Sequence, residues 1–227
     1  MSWRAYLEGH PFDLDLLVEQ FDRGQIVVRR DGDQYWMESP DFEALTEASE
    51  VQRVSRSQLS AINGAAALID ASYRRVELTD RFSDGTGSIF VLASTAIEAR
   101  TGVTAVAEVR GPDGGLIAAP LTAGPEYLAV ARQAQNVWEV LELLGRGPAD
   151  WASLYKIFEV IRDDGNYRRW ATKSEYSAFT ASACLPSVSG SDARHARAAT
   201  RSPKRTMTIH EAREFIRRVS LAWVSSK

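Results

Sequence analysis

The stretch Gln25-Ile26-Val27-Val28-Arg29-Arg30, then Asp31-Gly32, then Gln34-Tyr35-Trp36-Met37-Glu38, constrains the fold of this chain more than any other. β-Branched residues dominate the first arm, Asp-Gly supplies a turn, and the second arm returns at matching length, so the pair reads as a hairpin. A hairpin fixes antiparallel pairing. Tyr35 and Trp36 are adjacent in a strand, so one of them points away from the core and becomes a candidate contact for a partner or ligand.

Three further strand candidates cover 75–81, 88–93 and 103–110, with turn-forming Ser83-Asp84-Gly85-Thr86-Gly87 and Gly111-Pro112-Asp113-Gly114-Gly115 around the last two. Strands joined by turns rather than helices predict an antiparallel sheet packed on one helix. That helix follows Ser39-Pro40, a capping hydroxyl and a first-turn proline, and its apolar spacing runs from Phe42 and Leu45 through Leu59, Ile62, Ala66 and Ile69. Gly64 interrupts the pattern, which leaves one long helix or two pieces. The run 12–18 fits a short helix or a strand equally well.

After Gly124-Pro125 every periodic segment is helical. Tyr127, Ala131, Ala134, Trp138 and Leu141 share one face, and Gly145 suits the helix end. Asp150 caps a helix over 151–161 with Trp151, Leu154, Tyr155, Phe158 and Ile161 on its apolar side, and a third helix covers 173–183. Residues 184–206, rich in Ser, Ala, Pro and Arg, read as a loop. Thr208-Ile209-His210-Glu211 is a capping box. The helix it opens buries Ala212, Phe215, Ile216, Val219 and Trp223, and carries Arg213, Arg217 and Arg218 on its other face. The expected fold class is therefore α+β: an N-terminal, mostly antiparallel sheet with one long helix (1–118), followed by an all-helical C-terminal domain (125–227). The aromatic residues Trp138, Trp151, Tyr155, Phe158, Phe215 and Trp223 read as core.

Composition excludes several functions. No apolar run approaches membrane-spanning length, residues 1–8 lack the apolar stretch of a signal peptide, and Cys184 is the only cysteine, so neither a disulfide within the chain nor a thiolate zinc site is expected. The cytoplasm is the default compartment, with no membrane partner. No phosphate-binding glycine loop, paired metal-ligand histidines or nucleophile elbow is present, so no metal and no cofactor is expected. Glu98 with Arg100 and Glu108 with Arg110, near Asp80 or Asp84, echo the acid-x-lysine of two-metal nucleases. Arginine substitutes poorly for that lysine, and cross-strand charge pairing accounts for both motifs.

Charge is distributed unevenly. Residues 1–164 hold 15 Lys/Arg and 26 Asp/Glu, whereas residues 165–227 hold 12 and 4. Such asymmetry suits a polyanion partner at the C-terminal end, or attraction between the two halves. The densest cationic stretch is Arg194, Arg197, Arg201, Lys204 and Arg205, interleaved with His195 and running into a helix start, where backbone N–H groups and arginine forks favour an anion. A merely solvated loop has the same composition.

Arg205-Thr206-Met207-Thr208-Ile209-His210, with the helical layout of 125–227, resembles the HEPN family of small helical domains, many of which are RNases of bacterial defence and toxin–antitoxin systems. The resemblance implies that an Arg-x(4–6)-His motif supplies a catalytic arginine and histidine, here Arg205 and His210. Arg194-His195 is the alternative location for the arginine-plus-polar pair, although no histidine follows it at the required distance. It further implies a metal-independent site, often assembled across a homodimer, with Arg197, Arg201 and Lys204 gripping phosphates. Histidine suits the proton acceptor and arginine the charge stabiliser. Two function classes result: an RNA- or nucleotide-binding protein, extending to a HEPN-type RNase, and a non-catalytic interaction protein whose basic loop docks an acidic protein partner.

Overall fold

The computed structural model describes residues 3–86, 88–92, 123–147, 149–165, 167–190 and 205–227. The α+β class is as expected: an antiparallel sheet lies in the N-terminal half, and most helices follow it. The strands are β1 (Arg4–Glu8), β2 (Val27–Asp31), β3 (Gln34–Glu38), β4 (Glu77–Ser83) and β5 (Ile89–Val91). Helix α1 (Pro11–Gln20) follows β1, and α2 (Ala48–Ile69) follows β3. The sheet order is β2-β3-β1-β4-β5, which with this element sequence is the split β-α-β arrangement.

The hairpin forms as read. Asp31 pairs with Gln34 and Val28 with Met37, so Gly32 and Asp33 make a two-residue loop. Gly32 takes the left-handed conformation, φ 57°, that a tight hairpin loop demands and glycine tolerates. The central strand is β1, which the sequence analysis did not assign. Its pattern has period two: Ala5 and Leu7 face the core, while Arg4, Tyr6 and Glu8 face away. The run at 12–18 is helix, begun by Pro11 and capped by the His10 ring, whose Nδ1 accepts from the Phe12 amide. The strand expected at 103–110 lies outside the described residues.

Two expectations about helix limits change. Ser39 caps only a short 3₁₀ turn, Pro40–Phe42, and α2 begins later, at Ala48. The single helix expected over 127–141 is two: α3 (Ala123–Gln133) and α4 (Gln135–Gly145), separated by Ala134 in an extended conformation. No glycine or proline marks this break; both helices pack on α2, and tertiary contact outweighs local propensity there. The remaining helices are α5 (Trp151–Asp164), α6 (Lys173–Cys184), the short α7 (Pro186–Ser189) and α8 (Ile209–Val224). Asp150 caps α5 through the Ser153 amide at 2.7 Å, and capping boxes open α6 (Thr172, Glu175) and α8 (Thr208, Glu211).

Gly64 does not divide α2. A Cβ at Gly64 would stand 2.0 Å from the Leu141 carbonyl oxygen, and one at Gly145 would stand 1.8 Å from the Ser60 carbonyl oxygen. The two glycines let the backbones of α2 and α4 touch, and Gly145, expected as a helix-ending residue, is a packing residue instead. One apolar core runs from the sheet through α2 into the helical half, taking in Leu7, Met37, Ile62, Leu141, Phe158 and Trp223. Polar locks hold the sheet side. Arg74 donates to the buried Asp13 carboxylate at 2.7 Å, and Asn63 bonds both the amide and the carbonyl of Val76.

Candidate functional site

Helix α8 starts at the surface. Thr208 accepts from the Glu211 amide, and the Glu211 carboxylate accepts from the Thr208 amide at 2.7 Å, which satisfies backbone donors at both ends of the box. Ahead of the box, Met207 turns inward and is buried, and its amide donates to the Ser182 hydroxyl at 2.7 Å. This anchor fixes how the chain enters α8 and leaves Arg205 and His210 exposed on either side of it.

Arg205 and His210 converge electrostatically on one group. The Thr208 amide and hydroxyl, and after them the charges of Arg205 and His210, hold the Glu211 carboxyl below the usual carboxylate range. The pair that the sequence singled out thus flanks a single exposed carboxylate at a helix N-terminus, where backbone N–H groups already favour negative charge. Arg194, His195, Arg197, Arg201 and Lys204 lie outside the described residues.

The other cations of α8 serve the fold. Arg213 donates to the Ala149 carbonyl at 3.0 Å, Arg217 to the Leu68 carbonyl at 3.1 Å, and Arg218 to the Trp170 carbonyl at 3.0 Å and to Glu175 at 2.7 Å. They tie α8 to neighbouring loop and helix ends rather than form an open basic stripe. Spacing alone showed which helical face they occupy but not these carbonyl partners, which come from elements distant in sequence.

On the sheet, Trp36 is the residue of the Tyr35–Trp36 pair that faces outward; Tyr35 turns inward and donates its hydroxyl to Asp15 at 2.8 Å. The Arg4 guanidinium carbon stands 4.8 Å above the Trp36 ring, and that of Arg81 stands 4.2 Å above Tyr6. Trp36 also donates its indole N–H to Glu38 at 2.8 Å. The outward aromatics are therefore stacked within the protein's own arginine ladder.

Of the acidic strand-end residues, Asp80 and Asp84 are described, and Asp84 is occupied by the Thr86 amide and hydroxyl. Among the described residues no group of three or more His, Cys, Asp or Glu side chains is placed to hold a metal ion, and no helix is long and apolar enough to cross a membrane.

Fold and site together define a class: a split β-α-β sheet fused through one core to a helical layer, with an exposed arginine–histidine pair at a capped helix start. Compared with known proteins, the chain matches no family model, no curated protein and no solved structure.

Proposed function

We propose that this chain binds RNA or a nucleotide at the start of α8, and that Arg205 and His210 cleave RNA there without a metal, as the resemblance to HEPN domains implies. The observation that carries the reading is the convergence of both cations on the exposed Glu211 carboxylate while Arg213, Arg217 and Arg218 are engaged internally. A phosphate brought to that place would meet an arginine fork, a titratable imidazole and a helix N-terminus.

In the reaction His210 takes the proton of a ribose 2′-hydroxyl, and the 2′-oxygen attacks the adjacent phosphorus. The P–O5′ bond breaks, the 5′-oxygen leaves with a proton from solvent or from the imidazolium, and a 2′,3′-cyclic phosphate remains. Arg205 stabilises the charge that builds on the phosphoryl oxygens. Because both residues lie on an open surface, a homodimer that places two such surfaces face to face would supply the missing wall of a cleft.

The test is an RNase assay with full-length protein in EDTA. His210→Ala should abolish cleavage while leaving RNA affinity and folding nearly intact, since an exposed first-turn residue adds little to the core. Arg205→Ala should lose both cleavage and some affinity. DNA, which lacks the 2′-hydroxyl, should not be cut. Full activity in His210→Ala overturns the catalytic assignment. RNA binding that is undetectable even at low salt, where phosphate contacts are strongest, overturns the whole reading. The internal engagement of the α8 arginines favours one second reading: the remaining cations of the basic loop dock an acidic protein partner, and the protein is no enzyme.

A further inference from the structure

A cavity of about 350 Å³ opens between α2, α3 and α4 beside the Ser39–Phe42 turn, and the reading of α8 makes no use of it. Asp41, Arg53, Ser57, Gln58, Arg132 and Trp138 line it. Its volume falls at the small end of ligand sites, roughly 300–1,000 Å³.

Three features of this wall point to the chemistry of an occupant. Gln58 is 3% exposed; its Nε2 donates to Ser39 at 3.0 Å and to Asp41 at 2.7 Å, while its Oε1 has no partner among the described residues. Folded chains seldom leave a buried acceptor orphaned, and a ligand N–H would satisfy it. The second feature is cationic. Arg132 is forked onto Asp41, its shorter bond 2.6 Å, whereas Arg53 is exposed and has no hydrogen-bond or ion-pair partner among the described residues. Two guanidinium groups lining one small cavity favour an anion. Third, Trp138 is only half buried, its indole N–H reaching the Ser57 hydroxyl at 3.4 Å, so an aromatic side chain forms part of the wall.

An anion clamp, an aromatic wall and an orphaned carbonyl acceptor together match a nucleotide that carries an exocyclic amine. We propose that this cavity binds a free adenine nucleoside monophosphate: Arg53 and Arg132 take the phosphate, the base packs on Trp138, and the 6-amino group donates to Gln58 Oε1. The site is separate from the α8 start, and the proposal stands or falls independently of RNA cleavage.

Calorimetric titration of the full chain with AMP, adenosine, inorganic phosphate and purine riboside 5′-monophosphate tests it. AMP should bind, adenosine and purine riboside monophosphate should bind at least tenfold more weakly, and phosphate alone should give no measurable heat. Arg53→Ala, which changes an exposed side chain, should weaken AMP about tenfold with an unchanged unfolding midpoint, and His210→Ala should leave AMP affinity as it was. The proposal is overturned by the absence of AMP binding at millimolar concentration, by equal affinity for phosphate alone, by equal affinity for the analogue without the amine, or by unchanged affinity in Arg53→Ala.

Discussion

Asp164 closes α5 against the end of the chain. It accepts from the indole N–H of the fully buried Trp223 at 2.8 Å, and also from Lys227 and Asn136. Burial pushes its carboxyl upward, but the bonds from Lys227 and Trp223 outweigh that and hold it below the usual carboxylate range. A carboxyl whose pKa is lower in the folded than in the unfolded chain adds stability above the unfolded value, near 3.9, and loses it as pH falls through the folded value. Asp164→Asn should therefore cost about 2 kcal/mol at pH 7 in urea unfolding, as expected for charge-assisted bonds to a largely buried acceptor. At pH 2, where the wild-type carboxyl is itself protonated, the difference should shrink towards zero. A constant difference across that range would show that packing, not charge, is what Asp164 supplies.

At the scale of elements, the crossing of α2 and α4 is the joint most sensitive to one atom. A methyl group at either Gly64 or Gly145 would meet backbone, which cannot swing aside as a side chain can. Alanine normally strengthens a helix relative to glycine, by up to about 1 kcal/mol. Here the sign reverses, and Gly145→Ala should destabilise by at least about 3 kcal/mol in chemical denaturation. Gly32→Ala at the exposed hairpin tip would strain only a left-handed φ, with nothing within 4 Å of the new methyl group. A Gly145→Ala protein as stable as the wild type would mean that α2 and α4 are not in backbone contact.

The same elements show what was legible in the residues. The hairpin, the Asp150 cap and the Thr208–Glu211 box are local, because each partner lies within a few positions of the other, and they stand where they were read. The break at Ala134, the packing role of Gly145 and the carbonyl partners of the α8 arginines depend on residues far away in sequence, so composition and spacing carried no trace of them. Strand β1 is a different case. Its alternation from Trp3 to Glu8 was visible, but so short a run beside the N-terminus gives little periodicity to read. For the candidate site, the Arg205–His210 pair was legible as a motif. The cavity was not, since Gln58, Arg132 and Trp138 meet only when three helices pack.

For the whole molecule, the shared core decides how the chain can be divided. Val137, Val140 and Leu141 are fully buried, and α4 makes its most extensive contact with α2, which belongs to the acidic half. A fragment containing only residues 123–227 keeps the capped helices α5, α6 and α8 but loses the partner of α4. Such a fragment should show helical circular dichroism yet unfold without a sharp cooperative transition, and it should bind a hydrophobic dye. Cooperative unfolding at the wild-type midpoint would instead establish 125–227 as an independent domain, the division suggested by the sequence.

The α2–α4 crossing also sets the order of events while the chain is being made. Ser57 on α2 and Glu142 on α4 are hydrogen-bonded across a sequence separation of 85 residues. At synthesis rates of about 5–20 residues per second, α2 waits roughly 4–17 seconds before α4 exists to cover it. Throughout that interval the alanine-rich face of α2 and the two glycine notches are open to water and to other nascent chains. The sheet can pair early, since its hairpin is local, but it cannot complete its core until more than half of the protein has left the ribosome. A chaperone that shields one helix for several seconds is thus the assistance this architecture calls for.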